Sequence, residues 1–129
     1  MEQVTINTTK QTQIIDVTEH ARNAVRKSGV REGFCLVYMP HATAAIIINE
    51  HEPNLERDFL RFFSEFVPKG NYEHNKIDDN AEAHMKSAFF HAGKVLPVSG
   101  GELALGTWQR VLLCEFDGPR ARRLCILVK

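Results

Sequence analysis

The sequence predicts a single α+β domain spanning residues 1–129, with mixed, mostly antiparallel sheets packed against about three helices. Three observations carry that prediction. The chain has 129 residues, the length of one domain. Short β-rich runs are interspersed with three amphipathic stretches, without the regular alternation of a doubly wound sheet. Apolar residues make up 43% of the chain, enough for a core and too many for a disordered segment.

The strands read in order as Gln3–Thr8, Gln13–Asp16, Phe34–Tyr38, Thr43–Asn49, Val95–Val98, Trp108–Glu115 and Arg122–Val128. The polar turn at Thr9–Gln11 predicts that the first two form a hairpin. Ala44–Ile48 is continuously apolar, as in a strand covered on both faces. Gly100-Gly101 marks a turn. The first helix runs from Val17 to Ser28, capped by Asp16 or Thr18 and stopped at Gly29. The second runs from Pro53 to Phe66, with Pro53 in its first turn. Its Leu55, Phe59, Phe62, Phe63 and Phe66 form one apolar stripe. The third runs from Asn80 to His91, with Asp79 or Asn80 as cap, Gly93 as stop and Met85, Ala88 and Phe89 as the stripe expected to face the core.

Charge and sulfur narrow the classes. Sixteen basic and sixteen acidic residues give a formal net charge of zero, which argues against a nucleic-acid partner. No stretch approaches the ~20 apolar residues of a membrane span. Met1–Lys10 is polar, so no signal peptide is expected. Cys35, Cys114 and Cys125 lie in apolar runs outside any C-x-x-C, the usage of reduced core thiols in a cytoplasmic protein.

Six histidines stand out on this neutral background. His74, His84 and His91 cluster with Glu73, Asp78, Asp79 and Glu82. Asn80, His84 and His91 share one side of the third helix; the spacing is not H-E-x-x-H. These are either site residues or solvated histidines on a capped helix. His41, Thr43, Ala45, Ile47 and Asn49 alternate onto one strand face, pointing to a site beside the strand ends or simply to a turn and a strand end. Glu115 is a carboxylate in an apolar strand and needs a partner. Arg120, Arg122, Arg123 and Lys129 give residues 119–129 a charge of +4. Arg120 and Arg122, placed on one face, suit phosphate or carboxylate recognition; a structural ion pair with Glu115 or Asp117 fits equally.

These residues also carry a family resemblance. His41-Ala42-Thr43-Ala44-Ala45, closing in Asn49-Glu50, resembles the first motif of the YjbQ family, also called the secondary thiamine-phosphate synthase family. Tyr72-Glu73-His74-Asn75 with Asn80 and His84 resembles its central motif. Gly101-Glu102-Leu103-Ala104-Leu105-Gly106-Thr107-Trp108-Gln109 and Glu115-Phe116-Asp117-Gly118-Pro119-Arg120 with Arg122 resemble its signature. Ala42 stands where the family usually has Thr, and His51-Glu52-Pro53-Asn54 is less acidic than the family's stretch there.

The resemblance implies a homotrimer with sites near subunit contacts and a weak thiamine-phosphate synthase activity. That reaction joins a hydroxymethylpyrimidine diphosphate to a thiazole phosphate and releases pyrophosphate. It places His41, His84 and Glu115 in catalysis, with Thr43, Asn49, Asn80, Gln109, Arg120 and Arg122 on the substrate or its phosphates. His41, His74 and His84 would hold a divalent metal; three imidazoles suit zinc, whereas magnesium prefers oxygen. The same residues also fit a metal-dependent hydrolase, or a non-catalytic trimeric binding module for a small phosphorylated ligand. In a third reading the polar strand ends only seal subunit contacts.

Overall fold

The computed structural model describes residues 1–129. In chain order it consists of β1 (Glu2–Asn7), β2 (Gln13–Asp16), α1 (Thr18–Ser28), β3 (Glu32–Tyr38), β4 (Ala44–Asn49), α2 (Pro53–Phe66), a 3-10 turn (Glu73–Lys76), α3 (Ala81–Phe90), β5 (Gly93–Ser99), β6 (Glu102–Leu103), β7 (Arg110–Glu115) and β8 (Ala121–Val128). One sheet runs β1-β8-β3-β5-β6 and the other β2-β7-β4. Every strand pair is antiparallel, so the fold is the expected α+β domain without a parallel pair.

The three-stranded sheet is the middle layer, because its strands are apolar on both faces. Ala44 and Ile46 of β4, with Val111 and Leu113 of β7, point into a core shared with α1 and the larger sheet. Ala45, Ile47, Leu112 and Cys114 point the other way, against Phe63 of α2 and Ala83 of α3. Alternation within a continuously apolar run thus feeds two cores at once. The cysteines are free and buried. No helix is long and apolar enough to cross a membrane.

The ends of α1 and α2 follow the expected chemistry, with shifts of a residue, but the side-chain cap expected from Asp79 or Asn80 does not form on α3: the Asn80 side chain is taken up by His74 and Asp117, and the Ala81 amide donates to Asn75 Oδ1 at 2.9 Å. Asp16 Oδ1 accepts from the Thr18 amide at 2.9 Å, so Asp16 caps α1 from one residue outside its N-cap, Val17. Gly29 closes it at φ 70°, a conformation glycine adopts freely. Glu52 caps α2 through the amides of Asn54 and Leu55, with Pro53 in the first turn. α3 ends at His91, with φ 75°, two residues before the predicted stop.

Two further expectations are overturned. The predicted β1–β2 hairpin does not form: β1 pairs with β8 and β2 with β7, in different sheets. The intervening residues cross between sheets, and Thr8 is held there by Arg120 and Glu115. The Met85–Ala88–Phe89 stripe of α3 faces outward, with Met85 and Phe89 exposed. Its buried face is Ala81, Ala83, Lys86 and Ser87; the small Ala83 and Ser87 let α3 sit close enough to β4 for Ser87 Oγ to donate to the Ala44 carbonyl at 2.6 Å.

Candidate functional site

The antiparallel β4–β7 pair places Thr43, just before β4, beside the C-terminal end of β7, next to the loop that leads into β8. Most of the predicted site residues converge here. At its base lies an ion pair between Glu115, 0% exposed, and Arg122, 2% exposed. Arg122 Nε donates to Glu115 Oε2 at 2.7 Å, and its Nη2 to Glu115 Oε1 and to Thr43 Oγ1, the latter at 2.7 Å. The Thr43 carbonyl accepts from the same nitrogen at 3.2 Å. Thr8 Oγ1 donates to Glu115 Oε2 and the Asp117 amide to Oε1, both at 3.0 Å. Glu115, Arg122 and Thr43 are therefore occupied with one another. Glu115 positions Asp117 and Arg122, and the bond-forming side of the Arg122 fork is turned inward rather than toward a phosphate.

Asp117 links this base to the surface. Its Oδ2 accepts from Asn80 Nδ2 at 2.9 Å and from Arg120 Nη2 at 3.0 Å. Arg120 Nε also donates to the Asp117 carbonyl at 2.8 Å, which leaves a half-exposed guanidinium fixed at the rim. Since the Asn80 amide nitrogen donates to Asp117, its oxygen must be the group facing His74 Nε2 at 2.8 Å. His74 therefore donates from Nε2. The His84 ring stands edge-on to it, with centroids 4.8 Å apart. The loop leaves no room at Gly118, where a Cβ would come 2.3 Å from the Lys10 carbonyl and 2.8 Å from Thr8 Oγ1.

His41 is set differently. The Arg123 amide donates to its Nε2 at 2.8 Å, so His41 is neutral with its proton on Nδ1. Burial lowers its pKa below the ordinary histidine value. The cations of Arg122, Arg123 and Arg120 lower it further, against an opposing pull from Glu115. With that lone pair taken, the trio of His41, His74 and His84 does not fit a metal within one chain. No three His, Cys, Asp or Glu side chains are grouped to hold an ion.

Two predicted residues lie elsewhere. Asn49 and Gln109 sit at the opposite end of the β4–β7 pair, roughly 17 Å away by strand rise. There Asn49 Oδ1 accepts from the Glu50 amide and Gln109 Oε1 from the Gly106 amide. Beside them, Arg110 Nε donates to Asp16 Oδ2 at 2.7 Å, and His51 lies 3.1 Å from Glu56. Thr43 and Asn49 share a strand face, but alternation reports the face and not the end. Thr8 and Arg123 are site residues that sequence reasoning did not assign. Arg123 belonged to the +4 segment; Thr8 carried no local signal.

Fold and site together define a class: a small two-sheet α+β domain with a cluster of cations and imidazoles at the strand ends. The chain belongs to the YjbQ-like UPF0047 family, whose model matches residues 2–129. A UPF0047 protein of Archaeoglobus fulgidus is 46% identical over 96% of this chain and 97% of its own. UPF0047 protein YugU of Bacillus subtilis is 42% identical over 91% and 89%. A YbjQ-like protein of unknown function from Sulfolobus solfataricus superposes with a TM-score of 0.96 at 41% identity, covering 98% of this chain and 94% of that one.

Proposed function

We propose that this cluster binds a diphosphate-bearing small molecule and assists departure of pyrophosphate, the chemistry of a thiamine-phosphate synthase. The observation that carries this reading is the setting of His41: a neutral imidazole whose free group is an Nδ1–H donor, surrounded by Arg120, Arg122 and Arg123. In the reaction, the thiazole nitrogen lone pair forms a new C–N bond to the pyrimidine methylene. The C–O bond breaks and its electron pair leaves with pyrophosphate. The thiazole nitrogen has no proton to lose, so the step needs stabilisation of the leaving group more than a base. Arg120, Arg123 and His41 Nδ1–H supply donors for it. His74, oriented through Asn80, and His84 stand on the other side of Asp117 from Arg120.

The assay is purified protein with the two phosphorylated substrates, scored for pyrophosphate and for the coupled product by mass. Arg123→Met, at an exposed position, is expected to lower kcat/KM about 100- to 1,000-fold without changing stability, since a donor to a developing anion is worth about 2.7–4 kcal/mol. Absence of product together with absence of pyrophosphate binding would overturn the reading.

A homotrimer is part of the proposal. Phe34, Leu36 and Tyr38 alternate on the β3 face opposite buried Cys35 and Val37, with Leu36 paired to Val95 and Phe34 to Pro97. Val95 is 65% exposed, so an apolar sheet face of this kind supports self-association. A neighbour is also what could bring Asn49, Gln109 and exposed Trp108 to another chain's cluster. Sedimentation gives the assembly state. Mixing Arg123→Met and Gln109→Ala chains tests sharing: activity regained on mixing supports a composite site, and none counts against it.

A further inference from the structure

We propose a second ligand site: the cavity between α3, the end of α2 and the β1–β2 connection takes the oxyanion of a small molecule on the amine of Lys86. The cavity holds ≈ 370 Å³, at the small end of small-molecule sites. It lies across the Asn80–Asp117 hydrogen bond from His74. Asn80 and Asp117 line it, and none of His41, His74 and His84 does.

Lys86 is the reason to assign it a ligand. It is only 9% exposed, on the same face of α3 as Ala83 and Ser87. Lysine is almost never fully buried without a partner. Yet the Lys86 Nζ makes no ion pair or hydrogen bond within the chain, and its near neighbour is the Phe116 ring, 5.9 Å to the centroid. No sealed polar side-chain atom lacks a partner, so Nζ keeps open surface, and the open surface beside it is the cavity. Lys94, the other lysine that burial affects, donates to the Phe90 carbonyl at 2.8 Å. Burial lowers the Lys86 pKa, and Glu82 one turn away only partly offsets this.

A methionine would fill the same path between the helix and Phe116 without the desolvation of an ammonium. The partner that justifies the charge therefore comes from solution and is anionic. Lys69 adds a second cation to the lining, while Asp79 and Glu82 put acceptors in the same wall. That combination fits a molecule with a phosphate or carboxylate at one end and hydroxyl or amino donors at the other. The cavity shares only the Asn80–Asp117 wall with the proposed pyrophosphate site and does not rest on that reading.

The test is a titration of the intact protein with inorganic phosphate and with glycerol phosphate, followed through backbone amide NMR shifts. Saturable shifts are expected at Ala83 and Phe116, tighter for glycerol phosphate than for phosphate. Lys86→Met should weaken them at least tenfold and Lys86→Arg should retain them. Shifts at His41 and Arg123 report the other site and should persist in Lys86→Met. Unsaturable or absent shifts at Ala83 and Phe116 in the wild-type protein overturn the proposal whether or not the variants fold. Equal affinity in wild type and Lys86→Met also overturns it.

Discussion

Glu115→Gln removes one charge from the buried pair while keeping nearly the same shape. Arg122 is then a cation at 2% exposure, with Thr43 and a neutral amide in place of a carboxylate. Breaking a buried pair by removing one partner costs about 3–5 kcal/mol, because the surviving charge is left uncompensated. The carboxylate also accepts from Thr8 and from the Asp117 amide, which places the expected loss toward the upper value. Unfolding entropy of about 2.1 cal/mol/K per residue over 129 residues gives about 0.27 kcal/mol/K, so the melting temperature should fall by about 11–18 °C. Urea unfolding at one fixed protein concentration measures the loss directly. The double change Glu115→Met with Arg122→Met should recover most of it, since a well-packed apolar substitute for a buried pair is often neutral or stabilising. A Glu115→Gln loss below about 1 kcal/mol, at unchanged m-value, would refute the assignment of the pair as the clamp that holds the strand ends together.

The remaining predictions concern titration and reactivity. His41 has a lowered folded pKa, so the unfolded chain binds more protons between that value and about 6.5. Stability is complete above about pH 6.5 and falls as pH drops through the window; His41→Gln should flatten urea midpoints measured across it. Asp16 is pushed up by burial, but hydrogen bonds from Thr18 and Arg110 outweigh this and leave its pKa lowered. Its contribution is present above about pH 3.9 and is lost as pH falls through the folded value, so Asp16→Ala should cost about 1 kcal/mol at neutral pH and less in acid, by the same urea measurement. Burial pushes the Cys114 thiol up to about 12 and the Cys35 thiol up to about 11. Iodoacetamide at pH 8 should therefore leave both unmodified in the native protein and alkylate them in urea, as read by mass spectrometry.

Local signals located most elements and missed some of their partners. Asp16, Gly29 and Pro53 mark helix ends because capping and fixed φ act within a few residues. The continuous apolar run of β4 correctly foretold burial on both faces. The β1–β2 hairpin failed because a short polar turn permits a hairpin without requiring one. What kept β1 and β2 apart is Thr8, whose partners Glu115 and Arg120 are more than a hundred residues away. The α3 stripe failed because apolar size competed with close approach. Ala83 and Ser87 fit against β4, where Met85 and Phe89 would not, and Lys86 shares the tight face with its charge directed to a cavity.

The site shows the same division between what a pattern contains and what is needed to use it. Glu115 and Arg122 were each legible as charges near apolar runs, with ligand and ion pair equally open. Strand alternation counted backward from Ile126 and Leu124 puts Arg122 on the buried face and Arg123 on the exposed one, as observed. Arg120 lies before β8, where that count no longer holds, so its sharing a face with Arg122 could not be read from spacing. Parity thus made Arg122 a structural partner and Arg123 the outward guanidinium. Asn49 and Gln109 add the complementary constraint. Both belong to motif strings, yet the β4–β7 register carries them to the end opposite Glu115, so adjacency along the sequence with Thr43 and Glu115 did not become adjacency in space. Only contacts beyond one chain can return them to the cluster, which is why the subunit-mixing experiment bears directly on whether those two residues belong to the site at all.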